Sequence, residues 1–121
     1  MPKAKVVMVI DDEADIVKVL RGLLEAHHYE VVEASDGESG FVKVKAQPPD
    51  LILLDVMMPK MDGYTFLKKL KADTELGCIP VIVLTAKAKM SELFAIEGVR
   101  EYIVKPYESK ELLEKVKKYL G

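Results

Sequence analysis

Leu51-Ile52-Leu53-Leu54-Asp55-Val56-Met57-Met58-Pro59 is an apolar run that ends abruptly in an acid and then a proline. Unbroken apolarity over a short stretch means that both faces of a strand are covered, which is the mark of a parallel sheet with helices on each side. Similar Val-, Ile- and Leu-rich runs recur along the chain, giving expected strands near Lys5–Ile10, Glu30–Ala34, Asp50–Leu54, Pro80–Leu84 and Glu101–Val104. Helical patterns separate them. Ile16, Leu20, Leu23 and Leu24 share a face in a helix over Ala14–His27. A weakly patterned helix runs over Glu38–Ala46 and stops before Pro48-Pro49, and a third covers Gly63–Ala72 with Phe66, Leu67 and Leu70 inward. A fourth is expected between Lys89 and Glu97, and a last one begins at Ser109 as N-cap, with Leu112, Leu113, Val116, Tyr119 and Leu120 in one stripe. Asp73 to Cys78 reads as an exposed loop. Strands alternating with helices give an α/β fold, a doubly wound parallel sheet of five βα units.

The polar signals cluster where the strands end. Asp11-Asp12 follows Val6–Ile10, Asp55 closes its own run, Thr85 closes Val81–Leu84, and Lys105-Pro106 follows Tyr102-Ile103-Val104. In a doubly wound sheet the carboxyl ends of the strands form one rim, and ligands bind there. Each residue alone has a plain explanation: Asp11, Asp12 and Asp55 as caps or turn residues, Thr85 as a β-former, Lys105 as a solvated charge. Together they are a different matter. Carboxylates about 4 Å apart repel by about 4 kcal/mol at an effective dielectric of 20, so a fold that gathers them needs a cation or a raised pKa. All-oxygen donors without His or Cys favour Mg²⁺, with Mn²⁺ possible, over zinc. Lys105-Pro106 cannot continue a sheet ladder and is a candidate cis bond that would turn the ammonium across the rim.

Length and composition agree with a single domain over residues 1–121. A net charge of −2 and the absence of Trp argue against direct nucleic-acid binding. No apolar run approaches membrane-spanning length, and the lone Cys78 rules out an internal disulfide and suits a reducing compartment, so the expected location is cytoplasmic.

The ordered set of Asp11-Asp12, Leu53–Pro59 with Met61-Asp62-Gly63, Leu84-Thr85-Ala86 and Tyr102–Tyr107 resembles the receiver domain of two-component response regulators, and the likeness spans nearly the whole chain. It implies a flavodoxin-like (βα)5 sheet in the order 2-1-3-4-5. It implies Asp55 as phosphoacceptor, Asp12, Asp55 and the Met57 backbone carbonyl as Mg²⁺ ligands with Asp11 acting through water, and Thr85 and Lys105 as phosphoryl-binding groups. A histidine kinase or phosphotransfer protein would supply the phosphoryl group and a downstream effector would read the result; the domain would catalyse only its own phosphorylation and dephosphorylation. Tyr102 stands at the family's aromatic switch position, and the helix between Lys89 and Glu97, strand 5 and the last helix would form the output face. Two features depart from the pattern: the stretch from Ala86 to Lys105 is about two residues short, and Phe94 stands where a small residue is usual, which together imply a short or displaced helix there. His28 replaces a common helix-ending Gly; Met57 and Lys87 fall at positions that tune acyl-phosphate lifetime. The competing readings are a partner-binding pseudo-receiver that is never phosphorylated, and an aspartyl phosphatase, which would want a second acid where Met57 stands.

Overall fold

The computed structural model describes residues 4–55, 63–86, 99–105 and 107–120. Five parallel strands, β1 (Val6–Ile10), β2 (Glu30–Ala34), β3 (Leu51–Asp55), β4 (Val81–Ala86) and β5 (Val99–Lys105), form one sheet in the order β2-β1-β3-β4-β5. The four described α-helices are α1 (Ala14–Ala26), α2 (Gly37–Ala46), α3 (Gly63–Ala72) and α4 (Ser109–Leu120). The doubly wound architecture and strand order are those expected. The expected helix between Lys89 and Glu97, the motif residues Val56–Pro59, Met61 and Asp62, and the Lys105–Pro106 bond with its cis geometry lie outside the described residues.

Strand alternation splits the core between the two faces of the sheet. Met8, Ile10, Ile52, Leu54, Val81 and Val83 pack with Phe66, Leu67 and Leu70 of α3 and Val44 of α2. Val7, Val9, Leu51, Leu53, Ile82, Leu84 and Ile103 pack with Val17, Leu20 and Leu24 of α1 and Leu112 and Val116 of α4. Each fully buried side chain of this kind is worth about 1.5–3 kcal/mol relative to exposure, which is why the strands read as continuous apolar runs.

The boundaries carry several corrections. Strands β4 and β5 run on to Ala86 and Lys105, so Thr85 is the next-to-last residue of β4 and Lys105 the last of β5, rather than residues beyond them. In α1 Val17, Leu20 and Leu24 are buried, and Ile16 and Leu23 are half-buried against the same core, so the inward face is the expected one with Val17 added. The loop expected over Asp73–Cys78 contains a 3₁₀ turn, Leu76–Cys78. Asp73 Oδ1 accepts from the backbone N–H groups of Glu75 and Leu76, and this folds the buried Leu76 into the core while Cys78 stays exposed. Ser109 lies inside the first turn of α4 and does not cap it: the Leu112 N–H donates to the Glu108 carbonyl at 3.2 Å, which puts Glu108 at the cap.

Two helix ends follow local chemistry. Asp36 caps α2, its Oδ1 accepting from the Ser39 N–H at 2.8 Å. His28 ends α1 with φ of 72°, and the Tyr29 and His28 N–H groups donate to the Leu24 and Glu25 carbonyls. This paired pattern satisfies the last carbonyls of the helix and demands a left-handed residue, here a histidine.

Candidate functional site

The acidic rim grows out of strand register. Ile10, the last residue of β1, pairs with Leu54 of β3, so Asp11 and Asp55 leave adjacent strands side by side. The Asp11 N–H donates to the Ala34 carbonyl at the end of β2 at 3.1 Å, which holds the β1 exit in place on its other side. Here the chain order reverses between β1 and β3, the position at which an open α/β sheet leaves a crevice. Asp11 and Asp55 are 1% and 4% exposed, the two buried charged side chains among the described residues, whereas Asp12 and Glu13 are open to solvent.

Asp11, Asp12, Glu13 and Asp55 each offer a carboxylate oxygen, and these atoms all lie within 4.8 Å of one another. Asp11 Oδ1 also accepts from the Glu13 N–H at 2.9 Å, a tight turn that carries the chain from strand to helix and brings Glu13 back over the rim. Four acids so close form a donor set suited to a hard divalent cation: oxygen only, partly buried, and open on one side as Mg²⁺ prefers. Sequence reasoning assembled Asp11, Asp12 and Asp55 and missed Glu13, whose only signal was its place next to the acids.

Thr85 and Lys105 arrive at the same rim by backbone register. Asp55 pairs with Leu84, Thr85 with Val104, and Ala86 with Lys105. Met57 and Pro106 lie outside the described residues. Tyr102 is half-buried against the core face that includes Phe66, and this burial raises its phenol pKa. Tyr107 closes the Tyr102–Tyr107 motif, and the sequence assigned it no role of its own. It is half-buried against the opposite core face, and burial, reinforced by the Asp11 charge, raises its phenol pKa. From the acids an open cleft of about 620 Å³ extends between α1 and α2 past Lys18, Ser39 and Lys43. Its cations are partly committed: Arg21 Nε donates to the Glu33 carboxylate, and Lys43 Nζ to the Glu33 carbonyl at 2.6 Å.

Comparison with known proteins yields a consistent set. Residues 7–117 match the family described as the response regulator receiver domain. The alkaline phosphatase synthesis transcriptional regulatory protein PhoP of Bacillus subtilis is 39% identical over 118 residues, covering 96% of this chain and 48% of that protein. A probable transcriptional regulator ycf27 of Porphyridium aerugineum is 39% identical over 99% of this chain and 49% of its own length. The chain thus spans about half the length of these curated relatives. Among solved structures, the signal receiver domain of a signal transduction histidine kinase from Syntrophus aciditrophicus superposes with a TM-score of 0.91 at 30% identity, covering 97% of this chain and 90% of that one. The receiver domain of the sensor histidine kinase PA1611 from Pseudomonas aeruginosa, solved with a magnesium ion coordinated in its active-site cleft, gives 0.90 at 25% identity, covering 98% of both chains.

Proposed function

The chain belongs to the receiver-domain family of two-component response regulators, and from that membership we propose that residues 1–121 form one phosphoacceptor switch with Asp55 as its acceptor. The observation that carries this reading is the nearly buried Asp55 at the end of β3, its carboxylate oxygen within 4.8 Å of those of Asp11, Asp12 and Glu13.

A carboxylate oxygen of Asp55 attacks the phosphorus of a phosphohistidine on a histidine kinase or phosphotransfer protein. A P–O bond forms, the P–N bond breaks, and the imidazole leaves with the electron pair. Such a transfer needs positioning and charge neutralisation more than covalent assistance from the protein. Asp12 and Asp55 would hold Mg²⁺ directly, with Asp11 acting through water and the Met57 carbonyl as a further ligand, and the bound ion would supply charge neutralisation for the acids and the phosphoryl group. Thr85 and Lys105 bind the remaining phosphoryl oxygens. The chemistry of the donor set supports Mg²⁺, and Glu13 is a further carboxylate at its edge.

Phosphorylation adds roughly −1.5 to −2 charge at Asp55. Drawing Thr85 toward it opens space under β4, and Tyr102 turns further inward to fill it. The changed surface around β5 and α4 is what a downstream effector reads. Moving a two-state switch from 1:99 to 99:1 takes about 5.5 kcal/mol, more than one new charge-assisted contact supplies, so partner binding completes the shift.

The test is intact-protein mass after incubation with a small phosphodonor and Mg²⁺, beside Asp55→Asn and a chelator control. One added phosphoryl group, absent in both controls, is the expected result. No added mass, together with no response to beryllofluoride by NMR, would replace this reading with that of a partner-binding pseudo-receiver.

A further inference from the structure

Strand β5 is an edge strand, paired on one side with β4 alone in the described sheet, yet it carries both Lys105 and Tyr102. Its register is not a simple continuation. Val81 pairs with Val99, but Ile82 pairs with Glu101, so Arg100 is the extra residue of a β-bulge. Because strand side chains alternate, this one residue decides which face every later residue takes. With the bulge, Ile103 lies opposite Leu84 and is buried with α1 and α4, while Tyr102 faces the Phe66 side and Lys105 comes level with Ala86 at the rim. Without it, Tyr102 would lie opposite Leu84 and Ile103 would exchange faces with it. Lys105 would then stand one residue beyond Ala86, about 3.3 Å further along the strand.

The first residue after the bulge is Glu101, and α4 holds it with three donors among the described residues. Tyr119 Oη donates to Oε2 at 2.7 Å, Lys118 Nζ to Oε2 at 3.0 Å, and Lys115 Nζ to Oε1 at 3.3 Å. The carboxylate is half-buried, and the Tyr119 and Lys118 hydrogen bonds lead in lowering its pKa to about 2, so it stays ionised throughout the neutral range. A shared charge at this point, turned toward the helix, ties the edge strand to α4 just where its register is set.

We propose that Glu101 is a positioning residue for phosphoryl transfer: its clamp on α4 keeps β5 in the bulged register that brings Lys105 to the rim and puts Tyr102 on the α3 side of the sheet. This rests on the phosphoacceptor reading for its functional consequence and on strand geometry for its structural one. Asp11, Asp12 and Glu13 follow β1 and Asp55 ends β3, away from β5, so the clamp acts on transfer and leaves cation binding alone.

The experiment uses the whole chain as wild type, Glu101→Ala, Glu101→Gln and Tyr119→Phe. Amide hydrogen exchange compares β5 with β1; the rate of Mg²⁺-dependent phosphorylation by phosphoramidate and the Mg²⁺ affinity, from NMR shifts near Asp12, are measured alongside. Glu101→Ala is expected to speed β5 exchange by about tenfold while leaving β1 unchanged. It slows phosphorylation by about fivefold or more, with Mg²⁺ affinity within about twofold of wild type. Glu101→Gln recovers part of both losses, since an amide oxygen still accepts from Tyr119. Should Glu101→Ala fail to fold, Tyr119→Phe, which keeps the ring and both lysines, shows the same pattern at smaller size. Unchanged β5 exchange, or Mg²⁺ affinity falling in step with phosphorylation, overturns the proposal. If the wild type takes up no phosphoryl group the phosphoacceptor reading falls, and the exchange data alone then decide whether Glu101 holds the register.

Discussion

Gly40 of α2 lies against the residue that leads into the acidic rim, and Gly40→Ala tests that contact quantitatively. A Cβ placed there would stand 2.8 Å from Ile10 Cδ1, 3.3 Å from Ile10 Cγ1 and 3.5 Å from Ala34 Cβ. Apolar carbons rest at about 3.5–4.0 Å, so the nearest contact is too short by roughly 0.7 Å or more. Ile10 is fully buried and cannot swing into solvent. Overpacking of this kind costs about 1–3 kcal/mol. Against it, alanine gains about 1 kcal/mol over glycine in a helix interior. The expected net effect is a destabilisation of about 1 kcal/mol, opposite in sign to propensity alone. Ile10→Val removes the offending Cδ1 methyl and on its own costs about 0.5–1.5 kcal/mol. In that background the alanine methyl takes up the vacated space and the swap becomes nearly volume-conserving. Gly40→Ala should then stabilise, giving a coupling of about 2 kcal/mol in a double-mutant cycle. Urea denaturation of the four proteins measures it, with unchanged m-values required. Mg²⁺ affinity should follow the same cycle, because Ile10 leads directly into Asp11. Stabilisation by Gly40→Ala with Ile10 present, or a coupling below about 0.5 kcal/mol, would refute the packing argument.

Two further outcomes are expected. His28→Gly should stabilise the fold by about 0.5 kcal/mol in chemical denaturation, since relief of the left-handed penalty of roughly 1–2 kcal/mol exceeds the extra chain entropy of glycine; a loss of stability would mean that the imidazole contributes packing worth more than the strain. For Glu101, with its folded pKa depressed from 4.5 to about 2 by Tyr119, Lys118 and Lys115, the stabilisation is fully present above the unfolded value and is lost as pH falls from about 4.5 through 2. Stability–pH curves of wild type and Glu101→Gln should therefore converge across that window, and parallel curves would deny the carboxylate its role.

How far the fold could be read from sequence depended on what filled each inward face. The strands were legible because parallel strands covered on both sides must be apolar throughout. Helix α2 was barely patterned for a physical reason that the structure makes plain: its buried positions are Gly37, Gly40 and Val44. At Gly40 the volume that a helix side chain would fill is occupied by Ile10 reaching up from β1. A hydrophobicity pattern registers side chains and is blind to a place where the absence of one is the fit. Leu76 escaped for the complementary reason, one buried leucine in a polar stretch whose turn depends on the Asp73 carboxylate and not on any period.

The site divides along the same line. Acids at the ends of apolar runs were conspicuous because nothing in a strand core calls for charge, and the register of β1 on β3 brings Asp11 and Asp55 together as that reading required. Glu101 was invisible because a glutamate ahead of Tyr102 on an edge strand reads as ordinary solvated charge. Its meaning comes from a bulge that no residue in Val99–Lys105 announces, and from three donors lying fourteen to eighteen residues away on α4. Residues that would touch a phosphoryl group must be of a particular chemical type and so leave a trace in sequence. Those that hold the rim in register need only be in the right place, and place is a property of the fold. Variation among receivers that share the same acids is therefore expected to lie in positions such as Gly40 and Glu101, where packing and register decide how well an unchanged constellation is aligned.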